Sequence, residues 1–224
     1  MTNWAKVIEA KSALARRNVE QGMKPGKISP DARIPRGQSR VNDFPVLDMG
    51  VRPSLDKSTW TLRLFGLVGN EVTLDWAQFS ALPQSLIQSD MHCVTRWSRL
   101  DMNWQGVLAR ELILLASPLE QARFVTLHGF DDYTTNLPLE ALLDDDVLIA
   151  HSVFGAPLSI DHGWPARMVV PGRYAWKGAK WISAIEFHDR DRPGFWEVRG
   201  YHNDADPWKE ERFGFPPEED AGDL

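Results

Sequence analysis

Cys93 is the single cysteine of the chain, and it stands in the run Asp90-Met91-His92-Cys93-Val94-Thr95-Arg96-Trp97-Ser98. One thiol forms no internal disulfide and no all-protein zinc cage, which takes about four ligands. The chemistry left to it is that of a lone nucleophile, or of one bond to a metal whose other ligands come from elsewhere. Without either, it is a small core residue. Three further segments carry polar or cationic groups at close spacing: Gly129 to Pro138 with Asp131, Asp132 and Tyr133; Asp161-His162-Gly163-Trp164-Pro165-Ala166-Arg167; and Pro171 to Trp181. Taken singly these are turns, a loop histidine and surface charges. Taken together, Arg167, Arg173, Lys177 and Lys180 surround one strand-loop turn whose glycines let backbone N–H groups approach an anion. Arg forks beside Lys point charges suit a phosphate.

The elements that must position these groups are short. Residues 3–20 place Trp4, Val7, Ile8, Leu14, Ala15 and Val19 at roughly helical spacing, which predicts an amphipathic helix packed on the main body. Gly22, Pro25, Gly26, Pro30, Pro35 and Gly37 punctuate a basic, extended linker reaching about residue 40. Strands are expected at 60–68, 124–127, 147–150, 168–170 and 181–187, and short helices at 74–82 (with Asp75 as cap), 107–115 and 137–143. Short strands interleaved with short helices, without βαβ regularity, predict an α+β domain. Neither a glycine-rich nucleotide fingerprint nor a P-loop is present.

The whole chain narrows the classes of function. Its 224 residues suffice for one large domain or two small ones, and 43% hydrophobic with 25% charged residues is ordinary for a globular protein. A net charge of −6 argues against nucleic acid or an anionic membrane as the main partner, so any anion site must be local. No segment is apolar enough to insert in a membrane, and no signal-peptide h-region follows Arg16 and Arg17. With a single cysteine, the expected compartment is the cytoplasm.

The chain resembles the molybdopterin-binding domain of the sulfite oxidase family over about residues 40 to 213. The resemblance is carried by His92-Cys93-Val94-Thr95-Arg96-Trp97-Ser98 with Trp104, Gly106 and Val107 after it, and by Asp161 to Arg167. Lys177-Gly178-Ala179-Lys180-Trp181, Gly194-Phe195-Trp196-Glu197 and Gly200-Tyr201-His202 add to it. It implies an α+β fold of mixed sheets with short helices, and Mo-molybdopterin as cofactor. It further implies Cys93 as the protein's molybdenum ligand, with His162 and Arg167 contacting the pterin and its phosphate. Gly178, Ala179 and Lys180 would give the remaining phosphate contacts, within the cradle that includes Arg173 and Lys177. Asn42 matches an early cofactor-binding segment and Asp131 falls where one further pterin contact is expected. Tyr133 falls near the family's active-site tyrosine, or simply packs its ring under a loop, and Arg96 with His92 would tune the local field.

One departure concerns the substrate. Dedicated sulfite oxidases carry an arginine beside the early asparagine, where this chain has Val41; Arg40, Arg96 or Arg173 would have to substitute. The expected division is a helix and linker over 1–39, the oxidoreductase domain over 40–215 and an acidic, disordered tail over 216–224. No room is left for a haem domain, so a small-molecule substrate and a separate redox partner, a haem protein or other carrier, are expected. The expected reaction is oxygen-atom transfer to or from a small substrate of sulfite or sulfoxide type. Two alternatives stay open: a cofactor-free binding module of the same fold, and a hydrolase with Cys93 activated by His92, His128 or His151.

Overall fold

The computed structural model describes residues 4–214. The tail expected over 216–224 lies outside the described residues. Eleven strands fall into two sheets among these residues. The first joins β1 (Ser39–Arg40), β4 (Ser85–His92), β5 (Trp97–Leu108), β8 (Leu148–Val153), β9 (Ala156–Pro157) and β10 (Arg167–Val169). The second runs in the order β3 (Val72–Asp75), β2 (Thr61–Gly66), β11 (Ile182–His188), β6 (Phe124–Gly129), β7 (Thr134–Pro138). Both sheets are mixed: β1 lies parallel to β5 and β11 parallel to β2, and the remaining pairs are antiparallel.

Alternation makes β2 of the second sheet amphipathic. In β2, Leu62 and Leu64 are buried while Thr61 and Arg63 face out. They meet Val125, Leu127, Ile182 and Ile185 in the main core, which Val107, Ile149 and Met168 of the first sheet close from the other side. Each fully buried aliphatic side chain stabilises the fold by roughly 1.5–3 kcal/mol, so this interface dominates the fold's energetics. Helix α3 (Ala109–Ala116) adds Ala109, Leu112, Ile113 and Ala116, the i, i+3, i+4, i+7 face of a helix. A second cluster around Met102, Trp104, Leu148 and Val169 fills the opposite face of the first sheet.

The short helix α2 (Trp76–Ala81) starts where expected. Asp75 accepts from Gln78 N at 2.8 Å, and Gln78 Oε1 accepts from Asp75 N at 2.9 Å, a reciprocal cap. The segment expected to be helical from Val107 begins its helix only at Ala109, because Val107 and Leu108 finish β5 against Ile149 and Leu148.

Helix α1 (Trp4–Gln21) lies on the main body, with Ala15 fully buried and Ile8 packed against the main core. Gly50 is required beneath it. Its φ is +83°, and a Cβ there would fall within 2.0 Å of the Trp4 indole. The linker after α1 is pinned rather than loose. Gly26 N donates to both oxygens of Glu210, at 2.9 and 3.1 Å. Arg212 donates to Val94 O at 2.8 Å and to Arg36 O at 3.3 Å.

Candidate active site

The thiol sits at the tip of the longest hairpin. β4 ends at His92, and the turn Cys93-Val94-Thr95-Arg96 leads into β5. Cys93 N donates to Trp97 O and Arg96 N to Cys93 O, closing the turn with Arg96 in the left-handed region at φ 74°. Gln38 Nε2 donates to Cys93 O at 3.0 Å. The side chain is buried, and burial pushes the thiol pKa up. Its one hydrogen-bond partner among the described residues is Thr95, whose Oγ1 donates to Sγ at 3.1 Å.

Cys93 opens into a cleft enclosing about 850 Å³, open solvent at its mouth included. Three groups of residues line it. Cys93, Val94, Thr95 and Trp97 come from the hairpin tip; Asp131, Tyr133, His162, Arg167, Gly178 and Lys180 from the strand ends; and Phe44, Pro45, Asp48 and Met49 from the segment before β2. Lys11 of α1 completes the wall near Trp196, its Nζ 5.5 Å from that indole.

The cationic end is electrostatically strained. Arg167 is buried and donates to carbonyls alone, to His162 O and Gly178 O at 3.3 Å each and to Met168 O at 3.4 Å. Burial lowers its pKa to about 10. Lys180 donates to Asp161 O at 2.8 Å, with Asp48 Oδ2 at 3.8 Å. Burial, then repulsion from Arg167, lowers it to about 8. His162 stacks flat on Phe44 with ring centroids 3.7 Å apart, and burial followed by the charges of Arg167 and Lys180 holds it at about 4, neutral near pH 7. Arg167 has no carboxylate partner among the described residues and Lys180 only the distant Asp48, so an incoming anion is favoured here: it offsets the burial of Arg167 and the repulsion that Lys180 feels from it. Gly178, which lines the cleft, also packs tightly on β10: a Cβ there would lie 2.6 Å from Met168 O.

Asp131 faces the same space, and burial raises its carboxyl to about 6. Tyr133 is buried with its hydroxyl hydrogen given to Trp176 O at 2.6 Å, so in this arrangement it has lone pairs but no proton to offer the cleft.

Other expected site residues lie elsewhere. Lys177 is fully buried behind the cleft, its ammonium 2.7 Å from Glu197 Oε1 and donating to Asn136 O and Oδ1 at 2.8 and 3.0 Å. It is a structural ion pair, because its three donor positions are already taken. Arg173 turns back on Gly172 O and Arg96 is exposed; neither lines the cleft. Ala179 is buried and serves through its carbonyl, which accepts from Met168 N. Asn42 is exposed, and the lining begins two residues on, at Phe44.

The hydrolase alternative finds no base. His92 is bound to Ser98 Oγ at 2.8 Å, His128 pairs with Glu186 at 3.1 Å on the second sheet, and His151 bonds Ser152 and Gln84. None is a partner of Cys93. A buried, protonated thiol with a hydroxyl neighbour is a poor nucleophile.

What fits such a thiol is a metal that enforces its deprotonation, brought by an organic group whose anionic end reaches Arg167 and Lys180. Residues 49–196 match the sequence model of the oxidoreductase molybdopterin binding domain, and the chain belongs to that family, whose cofactor is molybdopterin. It is 43% identical over 182 residues to an uncharacterized oxidoreductase of Bacillus subtilis (strain 168), YuiH, covering 81% of this chain and 92% of that protein. A putative protein-methionine-sulfoxide reductase subunit of Azospira oryzae, YedZ1, is 28% identical over 149 residues, which are 66% of this chain and 56% of that one. The sulfane dehydrogenase SoxCD from Paracoccus pantotrophus shares the fold, with a TM-score of 0.58 at 22% identity over 62% of this chain and 41% of that one. The α+β reading of mixed sheets and short helices therefore stands, and the chain is a molybdopterin-dependent oxidoreductase.

Among the described residues no helix is long and apolar enough to cross a membrane. Sequence reasoning missed Lys11, Asp48 and Trp97 as lining residues. Lys11 had no readable signal, because a lysine on an amphipathic helix looks like any solvated charge.

Proposed function

We propose that this oxidoreductase moves one oxygen atom to or from a small sulfur-containing substrate at a molybdenum held by Cys93. The observation that carries the reading is the shared cleft. It puts the one thiol and the cations Arg167 and Lys180 on the walls of one cavity. The names of the Azospira and Paracoccus relatives, a methionine-sulfoxide reductase subunit and a sulfane dehydrogenase, support sulfur chemistry.

The cofactor supplies the redox chemistry and oxygen exchange. The chain's own residues bind and orient. Cys93 gives one soft thiolate. Arg167 and Lys180 would take the phosphate, Gly178 would offer its backbone to it, and neutral His162, its ring stacked on Phe44, would contact the pterin. Asp131, with its carboxyl near 6, is partly protonated in mildly acidic conditions and offers the pterin a hydrogen bond. Lys11 sets a positive charge beside the thiol end, which favours a substrate oxygen carrying negative charge. Turnover needs an outside electron carrier, and the single cysteine suits a cytoplasmic setting.

Cys93→Ser tests the reading. The variant should fold with an unchanged melting temperature and bind little molybdenum, while wild-type protein from a cofactor-competent host carries near one Mo per chain. Wild-type metal content and turnover in the variant would refute the ligand role. A wild-type protein free of molybdenum from that host would favour the cofactor-free binding module.

A further inference from the structure

Charge is divided unevenly along this chain. Residues 1–40 carry nine Lys and Arg against three Asp and Glu, a surplus of +6, whereas the other 184 residues carry 16 against 28, giving −12. The surplus lies outside the family match at 49–196. Its C-terminal part is a strap stitched to the loop that bears the thiol. Gln38 donates to Cys93 O, Ser39 N donates to Arg96 O at 2.9 Å, and β1 runs parallel to β5 at Trp97 and Ser98. Gly37 N donates to Lys27 O, which brings the earlier part of the strap alongside.

Lys27, Arg36 and Arg40 are exposed on this strap and form no ion pair among the described residues, unlike Arg33, which is held by Asp90 and Asp101. Ile28, next to Lys27 in the chain, is 74% exposed. The loop to which the strap is bonded carries an exposed neighbour of the sulfur: Cys93 Sγ accepts from Thr95 Oγ1 at 3.1 Å, and Thr95 is exposed.

From this juxtaposition we propose that the strap around Lys27, Arg36 and Arg40 is the docking surface for a one-electron carrier protein with an acidic face. The inference rests on the molybdenum reading above. Moving an oxygen atom between water and the substrate releases or takes up two protons and two electrons. The carrier therefore docks twice per turnover, taking or giving one electron each time through Cys93 and Thr95. In a molecule of net −6, an acidic partner is repelled overall, so a local cationic strap both orients it and selects its site. Exposed Ile28 supplies the apolar centre that charged rims surround in such interfaces.

The test uses wild-type holoprotein and the charge-reversal variant K27E/R36E/R40E, both first assayed for molybdenum. Oxidised holoprotein is mixed in a stopped flow with reduced plant-type [2Fe–2S] ferredoxin, an acidic carrier, and separately with reduced methyl viologen. The expected result is a wild-type ferredoxin rate that falls as salt rises. In the variant that rate is at least tenfold lower at low salt, with the viologen rate unchanged. A variant ferredoxin rate within twofold of wild type overturns the proposal, as does a wild-type rate that rises with salt. So does loss, in the variant, of binding to phosphatidylglycerol vesicles while ferredoxin reactivity stays intact, because the strap is then a membrane contact. Molybdenum missing from both proteins sinks the cofactor reading itself, and the metal assay reveals this before any mixing.

Discussion

Replacing Lys177 by Met should unsettle the fold rather than the cofactor. The Lys177 ammonium and the Glu197 carboxylate are both fully buried at 2.7 Å. Thr135 Oγ1 and Trp176 Nε1 also donate to Glu197 Oε1, at 2.9 and 3.0 Å, while Oε2 has no partner. Removing the cation leaves a carboxylate in a dry interior with two neutral donors. Breaking a buried pair from one side costs about 3–5 kcal/mol. For a chain of this length each kcal/mol moves the melting temperature by about 2–4 °C, so a fall of roughly 6–20 °C is expected. Adding Glu197→Gln removes the stranded charge and should recover about 1–3 kcal/mol of the loss, the coupling typical of contacting residues. Urea unfolding of the two single variants and the double variant, with thermal melts alongside, measures each term. The reasoning fails if Lys177→Met costs under about 1 kcal/mol, or if it keeps full stability and sheds the pterin. The latter result would return Lys177 to the phosphate cradle.

Gly178→Ala should cost on the order of 1–3 kcal/mol, because its Cβ would meet the Met168 carbonyl oxygen at 2.6 Å, a backbone atom that cannot swing aside. An unshifted melting temperature would refute that contact. Asp131→Asn carries a pH signature in cofactor-free protein. The folded carboxyl titrates at about 6, above its ordinary 3.8, so the folded state binds more protons between those values and loses stability as pH rises through them. Asparagine removes the penalty. The variant should melt higher than wild type at pH 8 and alike below about pH 4, and a difference that stays constant with pH would contradict the burial argument.

The sequence made three strands of the second sheet legible, β2, β6 and β11. Thr61 to Gly66 buries Leu62 and Leu64 and exposes the residues between, which periodicity reads directly, whereas Ile182 to His188 is buried along most of its length and is legible by its apolar residues. β4 escaped because it pairs only with β5, and its Leu86 is 80% exposed, so no apolar face announces it. β7 looked like a polar loop. Thr135 and Asn136 are buried nonetheless, since Glu197, Asp191 and Asn203 satisfy their polar atoms from segments more than 50 residues away. The same limit governs the site. Cys93, Asp131, His162, Arg167, Gly178 and Lys180 were readable as types at a spacing and do line one cleft. Lys177 and Lys180 are three positions apart and indistinguishable by composition; only the fold gives one to Glu197 and the other to the cleft.

The grip of Glu210 on Gly26 has a topological consequence. It buckles the amino-terminal stretch to the carboxyl-terminal one, and both wrap the outside of the region the family shares. A protease cut between Asn203 and Glu210 would therefore act at a distance, freeing the belt that seats α1 and with it the wall holding Lys11. Excising the chain at 49 and 196 would keep both sheets' hydrophobic interface while stripping that wall away.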